Sequence, residues 1–371
     1  MSPHSLRTWG WIHKWSSLIC TLFMLLLCLT GLPLVFSHEI DELAGEHFAA
    51  APLAADARPA GADRVVAAAL AAHPGLVPLY LFAEEDDPGL WYAKLDRDVA
   101  SDERNAVLVA VDGHTGEILG QPDFGSGVMA LMYRLHVDLY AGLAGKLFLG
   151  GMGCLLLVSL VSGAILYAPF MRKLEFGCVR RQRGPRIRWL DLHNLIGIAT
   201  LVWLLVVGAT GVVNTLGDLI LKAWQQEQMQ QLASGRGSTL LAGDAGHDGS
   251  VEQAIARARQ AAPGMQVDMV AWPGTLLSTP QHYAVILRGE TPLTAKLRQA
   301  LLVDPASGEV LQAAARPWYV TLFQLSQPLH FGDYGGLPLK ILWAALDLLA
   351  IVVIGSGLYL WLARGRRGAR P

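Results

Sequence analysis

The chain has 371 residues, of which 53% are hydrophobic and only 16% charged. Soluble domains carry about a quarter charged residues, so the deficit excludes an ordinary soluble globular chain and points to a membrane protein. A formal net charge of −2 gives no electrostatic case for a nucleic-acid partner; membrane lipid is the expected surrounding.

In chain order, four apolar stretches are long enough to cross a hydrocarbon core, which takes roughly 20 residues: approximately 15–36, 147–170, 195–216 and 337–362. The first exceeds the 7–15 residues typical of a signal-peptide core and reads as a retained anchor. Lys and Arg gather in three flanks. Arg7 and Lys14 precede the first span. Arg172, Lys173, Arg180, Arg181, Arg183, Arg186 and Arg188 lie between the second and third, and Arg364, Arg366, Arg367 and Arg370 follow the fourth. The positive-inside rule puts these flanks, and both termini, in the cytoplasm. The two long hydrophilic insertions then lie outside, most simply in the periplasm of a bacterial inner-membrane protein. Cys20, Cys28 and Cys154 fall in spans and Cys178 in the basic loop, so no disulfide framework is expected outside. The expected division is 1–36 (N-terminus and first span), 37–125 (first outside domain), 126–172 (second span and the segment before it), 173–192 (basic loop), 193–224 (third span), 225–316 (second outside domain) and 317–371 (fourth span, the segment before it and the tail).

The two insertions share one grammar. In the first, Asp63 opens a helix that Pro74-Gly75 stops. Strands are predicted near 79–82, 91–95 and 106–111, and the turn Asp112-Gly-His-Thr-Gly116 leads into 117–119. In the second, Ser250-x-x-Gln253 is a capping box opening an amphipathic helix with Val251, Ala254, Ile255 and Ala258 on one face. Pro263-Gly264 ends it, strands follow at 266–272, 283–287 and 300–303, and the turn Asp304-Pro-Ala-Ser-Gly308 leads into 309–311. Val-Asp-x-x-[Thr/Ser]-Gly-Glu-[Ile/Val]-Leu thus occurs twice. Its glycine supplies the positive φ a tight hairpin needs, and hairpin chemistry accounts for the Asp112/Glu117 and Asp304/Glu309 pairs without a bound cation.

The spans repeat as well, and internal repeats reveal architecture. Leu135-His136-x-x-x-Tyr140-x-Gly142-Leu143-x-x-Lys146 returns as Leu329-His330-x-x-x-Tyr334-x-Gly336-Leu337-x-x-Lys340; the apolar runs after them carry Ser162-Gly163 and Ser356-Gly357. Trp9-x-x-x-His13 before a run with Thr30-Gly31 returns as Trp189-x-x-x-His193 before a run with Thr210-Gly211. The fold expected is therefore an α-helical four-span bundle with two α+β outside domains and an internal two-fold repeat.

A helix followed by strands ending in Val-Asp-x-x-Thr-Gly-Glu resembles a PepSY domain. Two of these interleaved with four spans resemble the PepSY-associated transmembrane family over nearly the whole chain. Within it, the chain is similar to the dihaem inner-membrane reductases associated with siderophore-iron uptake. That resemblance implies a haem-dependent ferric-siderophore reductase as the activity.

The histidines suit that expectation. A bundle-bound b-type haem takes one imidazole from each of two facing helices. His13 and His193 share the cytoplasmic edge and His136 and His330 the periplasmic edge, so two b-type haems are expected, one per pair. Ser17 and Gly197, one turn after His13 and His193, leave room for a porphyrin edge. Trp9 and Trp189, one turn before, either pack on the macrocycle or belong to the interfacial aromatic belt. Gly31 and Gly211 are expected beside the outer haem and Gly163 and Gly357 beside the inner one, in a porphyrin-accommodating or helix-packing role. His136 and His330 precede their apolar runs with Gly142 and Gly336 between, which puts the outer haem at or above the membrane surface. His38 reads as a solvated helix end or an additional metal or substrate contact. Asp347, inside the fourth span, should face the bundle interior or water, with Lys340 two turns away on the same face.

No P-loop, zincin motif or CxxCH occurs, and Gly125-x-Gly127-x-x-Ala130 has no βαβ unit around it. The electron donor is therefore expected to be separate: a quinol, a flavin or a reductase, with the basic loop either a dock for an acidic partner or only a topology determinant. The expected acceptor is a ferric siderophore or another periplasmic Fe(III) complex. Two alternatives stand beside this reading. One is a membrane-anchored PepSY binding or regulatory module for a secreted protein. The other is an iron or haem transporter, for which the spans show no clear midplane site.

Overall fold

A computed structural model describes residues 1–43, 48–52, 59–84, 87–101, 103, 105–122, 125–171, 175–233, 249–291, 298–312 and 317–368. The chain divides into two compact units. One comprises Met1–Ser37, Gly125–Asp218 and Leu322–Pro371, the other His38–Phe124 and Leu219–Thr321.

The first unit is helical. Its long helices are α1 (Pro3–Leu34), α5 (Gly142–Met171), α6 (Pro185–Thr215) and α10 (Gly336–Gly368); short α2 (Ser37–Leu43) follows α1, and α4 (Gly127–Val137) precedes α5. Among the described residues the four long helices contain the stretches long and apolar enough to cross a membrane. Ser2 caps α1 by accepting from the Ser5 amide at 3.2 Å, with Pro3 at the first helical position. The four pack in a closed ring, α1 against α5 and α10, α6 against α5 and α10, so α1 and α6 face each other across the bundle. Both helices start well before the apolar stretches, which puts Trp9, His13, Trp189 and His193 inside them.

His136 and His330 sit on separate short helices, α4 and α9 (Trp318–Phe331). The turn from α4 to α5 holds Leu139 (φ 53°), Tyr140 (φ 59°) and Gly142 (φ 57°) in the left-handed region. Such φ costs a non-glycine residue about 1–3 kcal/mol and persists only where the surroundings dictate it. Here the nearly buried Asp138 does so, accepting from the Tyr140 amide at 2.9 Å and pairing with Arg134 at 3.5 Å. The equivalent turn after α9 uses glycines instead, Gly332 (φ 73°) and Gly336 (φ 58°).

The second unit corrects one expectation. The insertions do not build two separate domains, because their strands share a single antiparallel sheet. These are β1 (Val77–Ala83), β2 (Leu90–Asp96), β3 (Val107–Asp112), β4 (Ile118–Gly120), β5 (Met265–Ala271), β6 (Tyr283–Gly289), β7 (Gln299–Val303) and β8 (Val310–Gln312), in the order β4-β3-β2-β1-β5-β6-β7-β8. Each insertion supplies a four-stranded meander, and the halves join where Tyr80, Leu81 and Phe82 pair with Ala271, Val270 and Met269. Helices α3 (Ala62–Ala72) and α8 (Val251–Ala261) bury Val65, Ala69, Ala254, Ile255 and Ala258 in one core with Leu81, Val109, Val285 and Leu287. The physical reason for the merger is that β1 and β5 would each leave an open edge, and pairing them removes both. Helix α7 (Gly217–Ala233) continues the chain beyond α6.

The repeated hairpin is as the sequence predicts. Asp112 accepts from the amides of Ala51, His114 and Thr115 at 2.7, 2.7 and 3.1 Å. Asp304 accepts from Ala306 and Ser307 at 2.9 and 2.6 Å. Gly116 (φ 77°) and Gly308 (φ 67°) close the turns.

Candidate paired-imidazole sites

The bundle brings the four histidines together as two pairs. The ring centroids of His13 and His193 are 6.5 Å apart, and those of His136 and His330 are 6.1 Å apart. Imidazole–metal bonds of about 2 Å put the centroids of two rings on opposite sides of one ion roughly 6 Å apart. Both pairs stand at that separation.

Each imidazole is oriented through Nδ1 by a neighbouring helix. His13 Nδ1 donates to the Ser159 carbonyl at 2.9 Å, and His193 Nδ1 donates to the Val353 carbonyl at 3.1 Å and to Ser356 Oγ at 2.9 Å. His330 Nδ1 donates to the Val207 carbonyl at 3.0 Å, with Thr210 Oγ1 at 3.4 Å. Thr30 Oγ1 gives its proton to the Leu26 carbonyl at 2.8 Å, so it accepts from His136 Nδ1 at 3.0 Å. With Nδ1 protonated in all four, the remaining nitrogen, Nε2, is the one with a lone pair for a metal, and such hydrogen bonds raise ligand basicity. Burial, with a contribution from His330, pushes the pKa of His136 down to about 4. Burial also lowers that of His330, against the opposing Val207 carbonyl. Both rings are thus neutral near pH 7, the form that binds metals.

The Thr-Gly and Ser-Gly motifs sit beside the expected pairs, with each glycine against a histidine ring. A Cβ at Gly31 would lie 2.9 Å from His136 Cε1, at Gly211 3.0 Å from His330 Cε1, at Gly163 3.1 Å from His13 Cε1, and at Gly357 3.3 Å from His193 Cε1. The glycines make room for the histidine rings themselves, while the adjacent hydroxyls or carbonyls one turn back receive Nδ1. Each half of the repeat is self-contained in this respect: His13 rests on α5, His136 on α1, His193 on α10 and His330 on α6.

The second pair stands near the ends of the long helices. His136 and His330 rest beside Gly31 and Gly211, close to the ends of α1 at Leu34 and of α6 at Thr215. They lie alongside the last turns of the long helices instead of beyond them, because α4 and α9 place them there.

Of the flanking residues, Gly197 is open on its helix face, where an added Cβ meets nothing within 4 Å. Ser17 Oγ donates to the Lys14 carbonyl at 3.0 Å. Trp189 packs on Tyr359 with centroids 6.2 Å apart, and Trp9 is half-buried. Asp347 lies close to Cys28 of α1, and its Oδ2 is buried without a hydrogen-bond partner; the sequence pointed to Asp347 but not to Cys28. His38 is exposed on α2. His73 bonds Gln121 at 3.0 Å, His114 the Ala51 carbonyl at 2.7 Å and His282 the Thr279 hydroxyl at 2.7 Å. His247 and the basic residues Arg172, Lys173 and Arg370 lie outside the described residues. Among the described residues no three or more His, Cys, Asp or Glu gather as a metal cluster, so each pair offers two ligands and the rest of a coordination sphere must come from elsewhere.

An uncharacterized protein of Pseudomonas aeruginosa is 32% identical over 253 residues, which cover 63% of this chain and 63% of that protein, less than two thirds of its length. The family model described as the PepSY-associated TM region matches residues 10–364, and the chain belongs to that family.

Proposed function

We propose that this chain is a transmembrane electron-transfer protein with two b-type haems that reduces a ferric complex outside a bacterial inner membrane. The observation that carries the reading is the doubled imidazole pair, with centroid separations of 6.5 and 6.1 Å and every Nδ1 engaged. Two imidazoles with no third protein ligand among the described residues would suit a metal that a porphyrin otherwise holds. When bound, haem supplies a one-electron Fe(III)/Fe(II) couple whose potential follows ligand type, burial and hydrogen bonding. His13 and His193 would hold one haem, His136 and His330 the other.

The chain's own residues do the positioning. The Ser159, Val353 and Val207 carbonyls and the Thr30 hydroxyl fix each ring, which limits reorganisation when charge changes at the site. The Arg-rich flanks support a cytoplasmic placement of the first pair and both termini, with the sheet unit in the periplasm. His13 and His193 would hold the haem that receives electrons from a quinol, flavin or reductase, and His136 and His330 the haem that would pass them to the acceptor. A ferric siderophore is the acceptor favoured by the family resemblance; reduction to Fe(II) promotes release because its oxygen ligands prefer the harder ferric ion.

Protein purified from haem-replete cells should carry about two low-spin haems per chain, with a split α band. A colourless protein overturns the reading. Anaerobic mixing of the reduced protein with a ferric siderophore tests the acceptor: reoxidation without Fe(II) release, or no reoxidation at all, rejects that substrate.

A further inference from the structure

The first turn of α6 carries a cation with no counterpart among the described residues. Arg186 is half-buried, and its Nε is fully buried without a hydrogen-bond partner. The turn contains no acidic residue. The nearest acid along the helix, Asp191, is taken by Arg180, which reaches it through NH2 at 2.8 Å, Nε at 3.0 Å and its backbone amide at 2.9 Å. A guanidinium at the positive end of a helix is placed against the dipole, and a buried N–H without an acceptor is costly. Both features are relieved by one thing, an anion at this position.

Arg186 precedes His193 by seven residues, two turns on the same helix face and about 10 Å along the axis. Gly197, one turn beyond His193 on that face, is open. The stripe therefore runs from a cation, past an imidazole, to a vacant apolar surface. A porphyrin has the matching polarity, with its carboxylates along one edge and methyl and vinyl groups along the other. The equivalent position in α1 is Leu6, so this cation comes from one half of the repeat only.

We propose that Arg186 is the carboxylate-binding residue of the first site. It takes a propionate of the macrocycle held by His13 and His193, so that the polar edge points to the α6 N-terminus and the apolar edge covers Gly197. This rests on the two-haem reading. Removing the cation destabilises the reduced state of the nearby haem relative to the oxidised one.

The test uses full-length protein with Arg186→Leu, Arg186→Lys and, as a neighbouring control, Arg188→Leu. In Arg186→Leu, one of the two haems should move to a lower midpoint potential and transfer to an acceptor such as apomyoglobin at least tenfold faster. Arg186→Lys should fall between, and Arg188→Leu should match wild type. In wild type, haem dimethyl ester in place of haem should show the same fast transfer at that site, which needs no folded variant. Wild type with two haems whose rates and potentials survive Arg186→Leu, or equal rates for haem and its ester in wild type, overturns the assignment while leaving the haem reading intact. Wild type without haem overturns the parent reading.

Discussion

At the residue scale, the sites depend on single atoms. The repeat spacing made the histidine pairs legible, because equivalent positions in a two-fold bundle meet near its axis. The glycines were legible as positions, but spacing does not say whose atoms stand against the missing Cβ. Distances now order them. Gly31→Ala brings a methyl to 2.9 Å of His136 Cε1, whereas Gly357→Ala leaves 3.3 Å to His193. Gly31→Ala should therefore displace its histidine and weaken occupancy of the second site, with Gly211, Gly163 and Gly357 following in decreasing severity. Haem content and low-spin absorbance of the four purified variants check the order; equal behaviour of Gly31→Ala and Gly357→Ala contradicts it. The pairing has its own check. His13→Ala and His193→Ala should each remove the same haem, and His136→Ala and His330→Ala the other, whereas loss in any other grouping contradicts the pairs.

At the element scale, strands and long helices were readable, since alternation and apolar length are local signals. Helices α4 and α9 were not. Their sequences merge into the approach to a span, and their separation depends on the turns after them, one of which uses Leu139 and Tyr140 at positive φ. Asp138, which dictates that conformation, gives no sequence signal of its own. The hairpin aspartates are the opposite case, with motif and geometry agreeing. Burial raises the pKa of Asp112, but the amides of Ala51, His114 and Thr115 outweigh it and hold the group below the ordinary carboxylate range. For Asp304 the Ser307 amide is the main cause of the same direction. A folded pKa below the unfolded one means the stabilisation is fully present above about pH 3.9 and is lost as pH falls through the lower folded value. Asp112→Ala, which leaves three amides without an acceptor, should cost about 1–3 kcal/mol near neutral pH, and the deficit relative to wild type should shrink in acid. Denaturant titrations of wild type and variant at pH 7 and pH 3 read this; a deficit that grows in acid contradicts the sign.

At the scale of the whole molecule, the sequence repeat shows how many times a unit occurs but not whether the copies fold apart. The second unit is a single sheet because β1 and β5 pair. Its helices are tied in the same manner. Asp63 of α3 accepts from Ser250 Oγ and, at 3.2 Å, from the Glu252 amide at the start of α8, while Glu252 of α8 accepts from the Ala62 amide at the start of α3. Ser250 itself receives the Gln253 amide at 3.1 Å. Asp63 and Glu252 hold the same place in the two helices, so each half caps the helix of the other. A cap of this kind contributes about 0.5–2 kcal/mol, and here it acts across the repeat. Asp63→Ala should therefore loosen the half it does not belong to. Amide exchange by mass spectrometry should speed up in β5–β7 as well as in β1–β3, and Glu252→Ala should give the mirror result. If each substitution loosened only its own meander, the halves would be independent domains that share an edge. Matched loosening of both would mean that the two insertions, separated in sequence by the second and third membrane helices, fold as one cooperative body.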